Sequence, residues 1–169
     1  VDSGLVGATS NLQALATGQG FAAWCGTGLL TTAAFTVDVT GAPHIALTPI
    51  TLPMTWTSTG NTTVDGYNLV SNPVASAISF SQINRGADVL NQYDIYDPAS
   101  GNNANWNGVT GTNGANGIIQ SSQAFWLKAT GPAITTTVSE SAKVNNNTGG
   151  LFGDEEVVLP MLRLRVSSS

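Results

Sequence analysis

Apolar and polar positions alternate along this chain in short runs. In YNLVS, residues 67–71, extended backbone puts Tyr67, Leu69 and Ser71 on one face, and Asn68, Val70 and the following Asn72 on the other. Similar runs rich in Thr, Val, Ile, Leu and aromatics recur between Gly, Asn, Pro and Asp clusters. No window holds an apolar stripe of helical period for three turns. The pattern predicts strands at Gly20–Trp24, Ala34–Val39, Ile45–Trp56, Tyr67–Ser71, Gln92–Tyr96, Gln123–Ala129, Ala133–Ser139 and Val157–Val166. Pro49 and Pro53 each remove a ladder donor from the third of these, which marks it as an edge, a bulge or a strand that changes sheets. A short helical turn fits Ser76–Ile83, just beyond Pro73.

The chain also repeats itself. GQGF at 18–21 aligns with SQAF at 122–125, pairing Gln19 with Gln123 and Phe21 with Phe125, and TLPM at 51–54 echoes VLPM at 158–161. Each copy continues through a Gly-containing turn into a Thr-rich strand, the pattern of a repeated hairpin. The expected fold is therefore all-β, a β-sandwich or jelly-roll-like domain built from two similar hairpin-containing half-units. Residues 1–64 read as the later half of a preceding repeat unit and 65–147 as a complete unit, packed as one domain. Residues 148–169 read as a linker and C-terminal strand leading to further sequence. On this framing the chain is expected to begin inside a larger polypeptide.

Composition narrows the function classes. A length of 169 residues suits one packed domain. Charged residues make up only 9% of the chain and the net charge is -5, so there is no basic footprint for nucleic acid or an anionic membrane surface. A polar complement of Ser, Thr and Asn suits a β protein outside the cell. No apolar run is long enough for a membrane span. The single Cys25 has no internal disulfide partner; it reads as a small buried apolar residue, with an intermolecular disulfide as the alternative.

Two blocks carry a resemblance. Tyr67 to Pro73 with Ser76-Ala77-Ile78 resembles the "GWNLVGNPYPSAIDW" signature of large secreted and surface proteins of Bacteroidota, and Gln123 to Ala129 resembles their "QGFFVKA" element. The order of the intervening Tyr93–Asp97 stretch, the Thr137–Lys143 strand and the earlier Gly18–Phe21 and Phe35–Gly41 elements is similar too. Ser71, Val74-Ala75 and Ala124 depart from the family's Gly, aromatic-Pro pair and Gly. The resemblance implies export by the type IX secretion route and residence on or beyond the outer membrane. It further implies a module of a long adhesin-like or enzyme-associated polypeptide, whose partners are neighbouring domains, and the pattern contains no catalytic group.

Candidate chemistry is sparse. The only histidine, His44, reads as a polar residue at a strand start, and WCGTG around Cys25 has no nucleophile-positioning signature, so no catalytic residue is assigned. Asp94 and Asp97 with Asn102, Asn103 and Asn105 could offer calcium oxygens, but Asp-Pro followed by Ser-Gly is the order of a turn, which is preferred; no metal or cofactor is expected. The acidic run Asp154–Glu156 reads as solvated surface. Asn68, Asn72 and Pro73 read as turn and backbone-capping residues.

A carbohydrate site, if present, is expected at Trp106, Tyr96, Asp97 and Asn105, beside Asn103 in one loop-rich stretch. Trp24 and Trp126 lie in hairpin strands, where large aromatics mostly build core, and Trp56 is assigned to neither role. Three functions remain in view. They are a non-catalytic structural or adhesive surface module, a carbohydrate-binding module, and a self-assembling surface or filament subunit that pairs through an open strand edge.

Overall fold

The structure is a computed structural model and describes residues 5–10, 12–23, 42, 44, 45, 47–97 and 100–145. Expectations for Trp24, Cys25, Ala34–Val39, Asp154–Glu156, Val157–Val166 and the 148–169 linker lie outside those residues.

Alternation decides where the strands go. In β8, Ala124–Lys128, Phe125 and Leu127 are fully buried while Ala124, Trp126 and Lys128 are half-buried. Only a period of two produces that pattern. β2, Tyr67–Ser71, pairs antiparallel along the full length of β8, with Val70 opposite Phe125 and Leu69 opposite Trp126. The other side of β8 meets β5, Tyr93–Asp97, which turns back as β6, Asn102–Trp106. The result is an antiparallel four-stranded sheet in the order β2-β8-β5-β6.

Two smaller ladders face it. β1, Ile50–Thr51, and β4, Asn84–Arg85, flank β9, Thr136–Val138, in the order β1-β9-β4; β3, Ile78–Ser79, pairs with β7, Ile118–Ile119. A 3-10 turn at Phe80–Gln82 follows β3, within the segment where a helical turn was expected. The chain is thus all-β, a β-sandwich whose sheets do not close into a barrel. Between its layers, Val70, Tyr93, Ile95, Phe125 and Leu127 of the large sheet join Ile50, Ile78, Phe80, Ile119 and Val138 in one buried cluster. The Tyr93 ring meets Phe80 at 5.0 Å and Phe125 at 6.2 Å, both edge to face, the favoured aromatic geometry.

The proline-bracketed segment yields a two-residue strand, and β1 lies at the edge of its sheet, where a missing donor costs least. The Asp-Pro and Ser-Gly order does mark a turn, closed by the Gly101 N–H to the Asp97 carbonyl at 2.9 Å, but the Asn residues after it, expected in a loop-rich stretch, form β6. Its strand character comes from register: Ala104 faces Ile95 and Trp106 faces Tyr93, so two of its side chains reach the core. β2 is flanked by both copies of the repeated motif, Gln19 bridging to Val70 on one side and Phe125 pairing with Val70 on the other.

Both edges of the large sheet are covered. Gly20 N–H donates to the Leu69 carbonyl and Ser71 N–H to the Gly18 carbonyl; at the far edge, Thr112 N–H caps the Asn105 carbonyl and the Asn113 amide caps that of Asn103.

Candidate functional site

Three polar side chains near the core hold backbone. Asn72 is buried where Pro73 ends β2; its Nδ2 donates to the carbonyls of Ser76, Ile119 and Gln120 at 2.8, 3.2 and 2.9 Å, and its Oδ1 accepts from Val74 N–H. Asn68 binds the backbone of Thr55 through both ends of its amide and also donates to the Gly66 carbonyl. Arg85 stacks over the Phe80 ring and donates to the carbonyls of Phe80 and Ile83, and its burial lowers the guanidinium pKa from the usual range. These groups bind and orient main chain, and Arg85 also donates to the Asn91 Oδ1 at 2.6 Å.

The outward face of the large sheet is different. By strand alternation it carries Tyr67 and Leu69 from β2, Trp126 and Lys128 from β8, Asp94 and Tyr96 from β5, and Asn103 and Asn105 from β6. Leu69, Trp126, Asp94 and Asn105 stand opposite one another in a single row across all four strands. Three strand spacings make that row about 14 Å long. Within it, Asn105 Nδ2 donates to Asp94 Oδ1 at 2.6 Å.

Beside the row, the Tyr67 and Trp126 rings meet in a T-shaped pair with 6.5 Å between centroids, and Lys128 Nζ lies 4.7 Å from the Tyr67 ring centre. Burial and, secondarily, the negative charge of Asp94 push the Tyr67 hydroxyl pKa up. Tyr96 is the most open aromatic on this face, 57% exposed and opposite Asn103.

The residues expected to form a carbohydrate site are divided by this sheet. Tyr96 and Asn105 share its outward face. Trp106 lies on the opposite face, opposite Tyr93 and packed against the core. Asp97 ends β5 and accepts the Ser100 hydroxyl at 2.6 Å across the hairpin turn. Trp126, expected in the core, takes the outward position that Trp106 was expected to hold. The signal was present in QAFWLK: with Phe125 and Leu127 facing in, Trp126 must face out.

The chain matches no protein-family model, curated protein or solved structure.

An open groove of about 640 Å³ follows the β2 edge, between the segment that includes Leu5, Leu15 and Phe21 and the side chains of Met54, Tyr67 and Trp126. Asp94 is the carboxylate of the outward row, and neither a nucleophile nor a histidine stands in that row with it. Among the described residues no three His, Cys, Asp or Glu side chains gather as metal ligands, and no helix is long and apolar enough to cross a membrane. What the outward face can do is stack on apolar surface and exchange hydrogen bonds.

Proposed function

We propose that this chain is a non-catalytic β-sandwich module of a large secreted cell-surface protein, with a structural and adhesive role. One observation carries the reading. Asn68, Asn72 and Arg85, close to the core, bind backbone, whereas the outward face of the large sheet presents aromatic rings and amides. A rigid sandwich with one amphipathic face is suited to contact at a surface rather than to turnover.

The low charge, the hydroxyl and amide surface and the resemblance to exported Bacteroidota modules support an extracellular or outer-surface location reached by type IX secretion, with neighbouring domains of a longer polypeptide as partners. A second reading, carbohydrate binding, is favoured specifically by the row joining Trp126, Asp94 and Asn105.

The test is surface labelling and protease shaving of cells that express the tagged parent protein, followed by an adhesion assay with and without this module. Surface exposure and module-dependent attachment are expected. A parent protein retained inside the cell would sink the proposal.

A further inference from the structure

The geometry points to the outward face of the four-stranded sheet as a binding site for a neutral glycan, with Tyr96 and Trp126 as stacking rings and the Asp94–Asn105 pair as the hydroxyl-binding group. The inference rests on the surface-module reading and names the ligand class that the face would meet.

A pyranose has two kinds of surface, an apolar face of C–H groups and a rim of hydroxyls that each donate and accept. The outward face supplies a counterpart to both. Trp126 lies beside Asp94 on the neighbouring strand, and Tyr96 is the next outward residue along β5 from Asp94. A sugar ring resting on either aromatic therefore brings its hydroxyl edge to the Asp94 carboxylate. The antiparallel register that sets Asp94 opposite Trp126 brings Tyr96 alongside Ala124, whose methyl leaves the space between the two aromatics low.

The hydrogen-bonding capacity is also in place. Asn105 Nδ2 is bound to Asp94 Oδ1, which fixes both groups, while Asp94 Oδ2 and Asn105 Oδ1 accept nothing from the described residues. Two fixed acceptors and the second Asn105 N–H suit a vicinal diol, which can donate to the oxygens and accept from the amide. Holding these groups by their neighbours before a ligand arrives lowers the ordering cost of binding.

Charge selects the class. The Asp94 carboxylate and the Lys128 ammonium are the formal charges of the face, one of each sign. A neutral polyol fits that balance, whereas an anionic polymer would meet a carboxylate in the middle of the row. Trp126 also lines the 640 Å³ groove along β2, so a chain of several sugars could continue from the row towards Leu69.

The experiment is native affinity electrophoresis of the full chain in gels containing soluble β-glucan, xylan, galactomannan or, as the anionic control, polygalacturonate, followed by titration calorimetry with oligosaccharides of whichever polymer retards it. Retardation by at least one neutral polymer is expected, with Tyr96→Ala, Trp126→Ala and Asp94→Ala each weakening it about tenfold or more. Trp106→Phe, on the opposite face, is expected to leave retardation unchanged, and thermal melts establish that every compared variant is folded. The proposal is overturned if no neutral polymer retards the chain, if only polygalacturonate does, or if Tyr96→Ala and Trp126→Ala retain full retardation. Surface shaving of the parent carrying Tyr96→Ala separates the two levels. If it still reaches the surface without any glycan retention by the native chain, the glycan site falls and the surface-module reading stands.

Discussion

Asn68 binds Thr55 as a neighbouring strand would: its Oδ1 accepts the Thr55 N–H at 2.8 Å and its Nδ2 donates to the Thr55 carbonyl at 3.0 Å. One amide thereby ties the segment after β1 to the large sheet. Asn68→Ala removes that pair together with the bond to the Gly66 carbonyl, and should cost about 1–3 kcal/mol. Urea denaturation reads the loss, and faster hydrogen exchange at the Thr55 amide locates it. An unchanged Thr55 exchange rate would show that other contacts hold the segment.

Gly66, just before β2, has a φ of +79°, and a Cβ there would collide with the Ala129 carbonyl. The Ala129 N–H also donates to the Gly66 carbonyl at 2.8 Å, so the two backbones cannot separate without breaking a bond. Gly66→Ala combines a left-handed conformation with a main-chain clash, and a loss of at least about 2 kcal/mol is expected. Gly60→Ala is the comparison, because its φ is also positive, +86°, yet no atom beyond its chain neighbours lies within 4 Å of a Cβ there. Equal losses at both sites would mean that backbone conformation alone matters.

The large sheet was legible where side chains announce themselves. YNLVS alternates cleanly and became β2 with its predicted bounds, and QAFWLK lies within the strand expected there. β6 was illegible because Asn is depleted in strands and enriched in turns; only the hairpin register, with Ala104 opposite Ile95, makes NNANW a strand. β1, β3, β4 and β7 are two residues each, too short to show a period, and exist because their partners are positioned by the core. The candidate face was half legible. Tyr96 and Asn105 could be named from sequence, and Asp94 two residues before Tyr96 was read only as a possible calcium oxygen; Trp126 comes from another strand, through a pairing that local pattern does not encode.

Phe125 and Trp126 are adjacent in sequence and face opposite ways. Phe125 is fully buried in the core and touches Tyr93, whereas Trp126 is half-buried on the outward face. Phe125→Ala should cost roughly 3–5 kcal/mol through lost burial and a cavity, and Trp126→Ala about 1 kcal/mol or less. Denaturant midpoints of the two variants check the order. A larger loss for Trp126→Ala would reverse the facing of β8.

Asp65 should make stability sensitive to acid. Its carboxylate, 5% exposed, accepts the Thr59 hydroxyl at 2.6 Å and the Thr59 N–H at 3.0 Å. The Thr59 hydroxyl bond is the main cause that holds its pKa below the ordinary 3.8; burial opposes the shift, and backbone N–H bonds from Thr59, Gly60 and Asn61 add to it. Because the folded pKa is the lower one, the unfolded chain takes up the proton first as pH falls. The stabilisation is therefore complete above the unfolded value, and is lost as pH drops through the folded value. Asp65→Asn removes this titration while keeping the side chain's size. Melting temperatures of the two proteins should differ by a constant amount above about pH 5 and converge below about pH 4, the native protein losing more. Parallel curves over the whole range would mean that Asp65 is no better stabilised as a carboxylate in the folded chain than in the unfolded one.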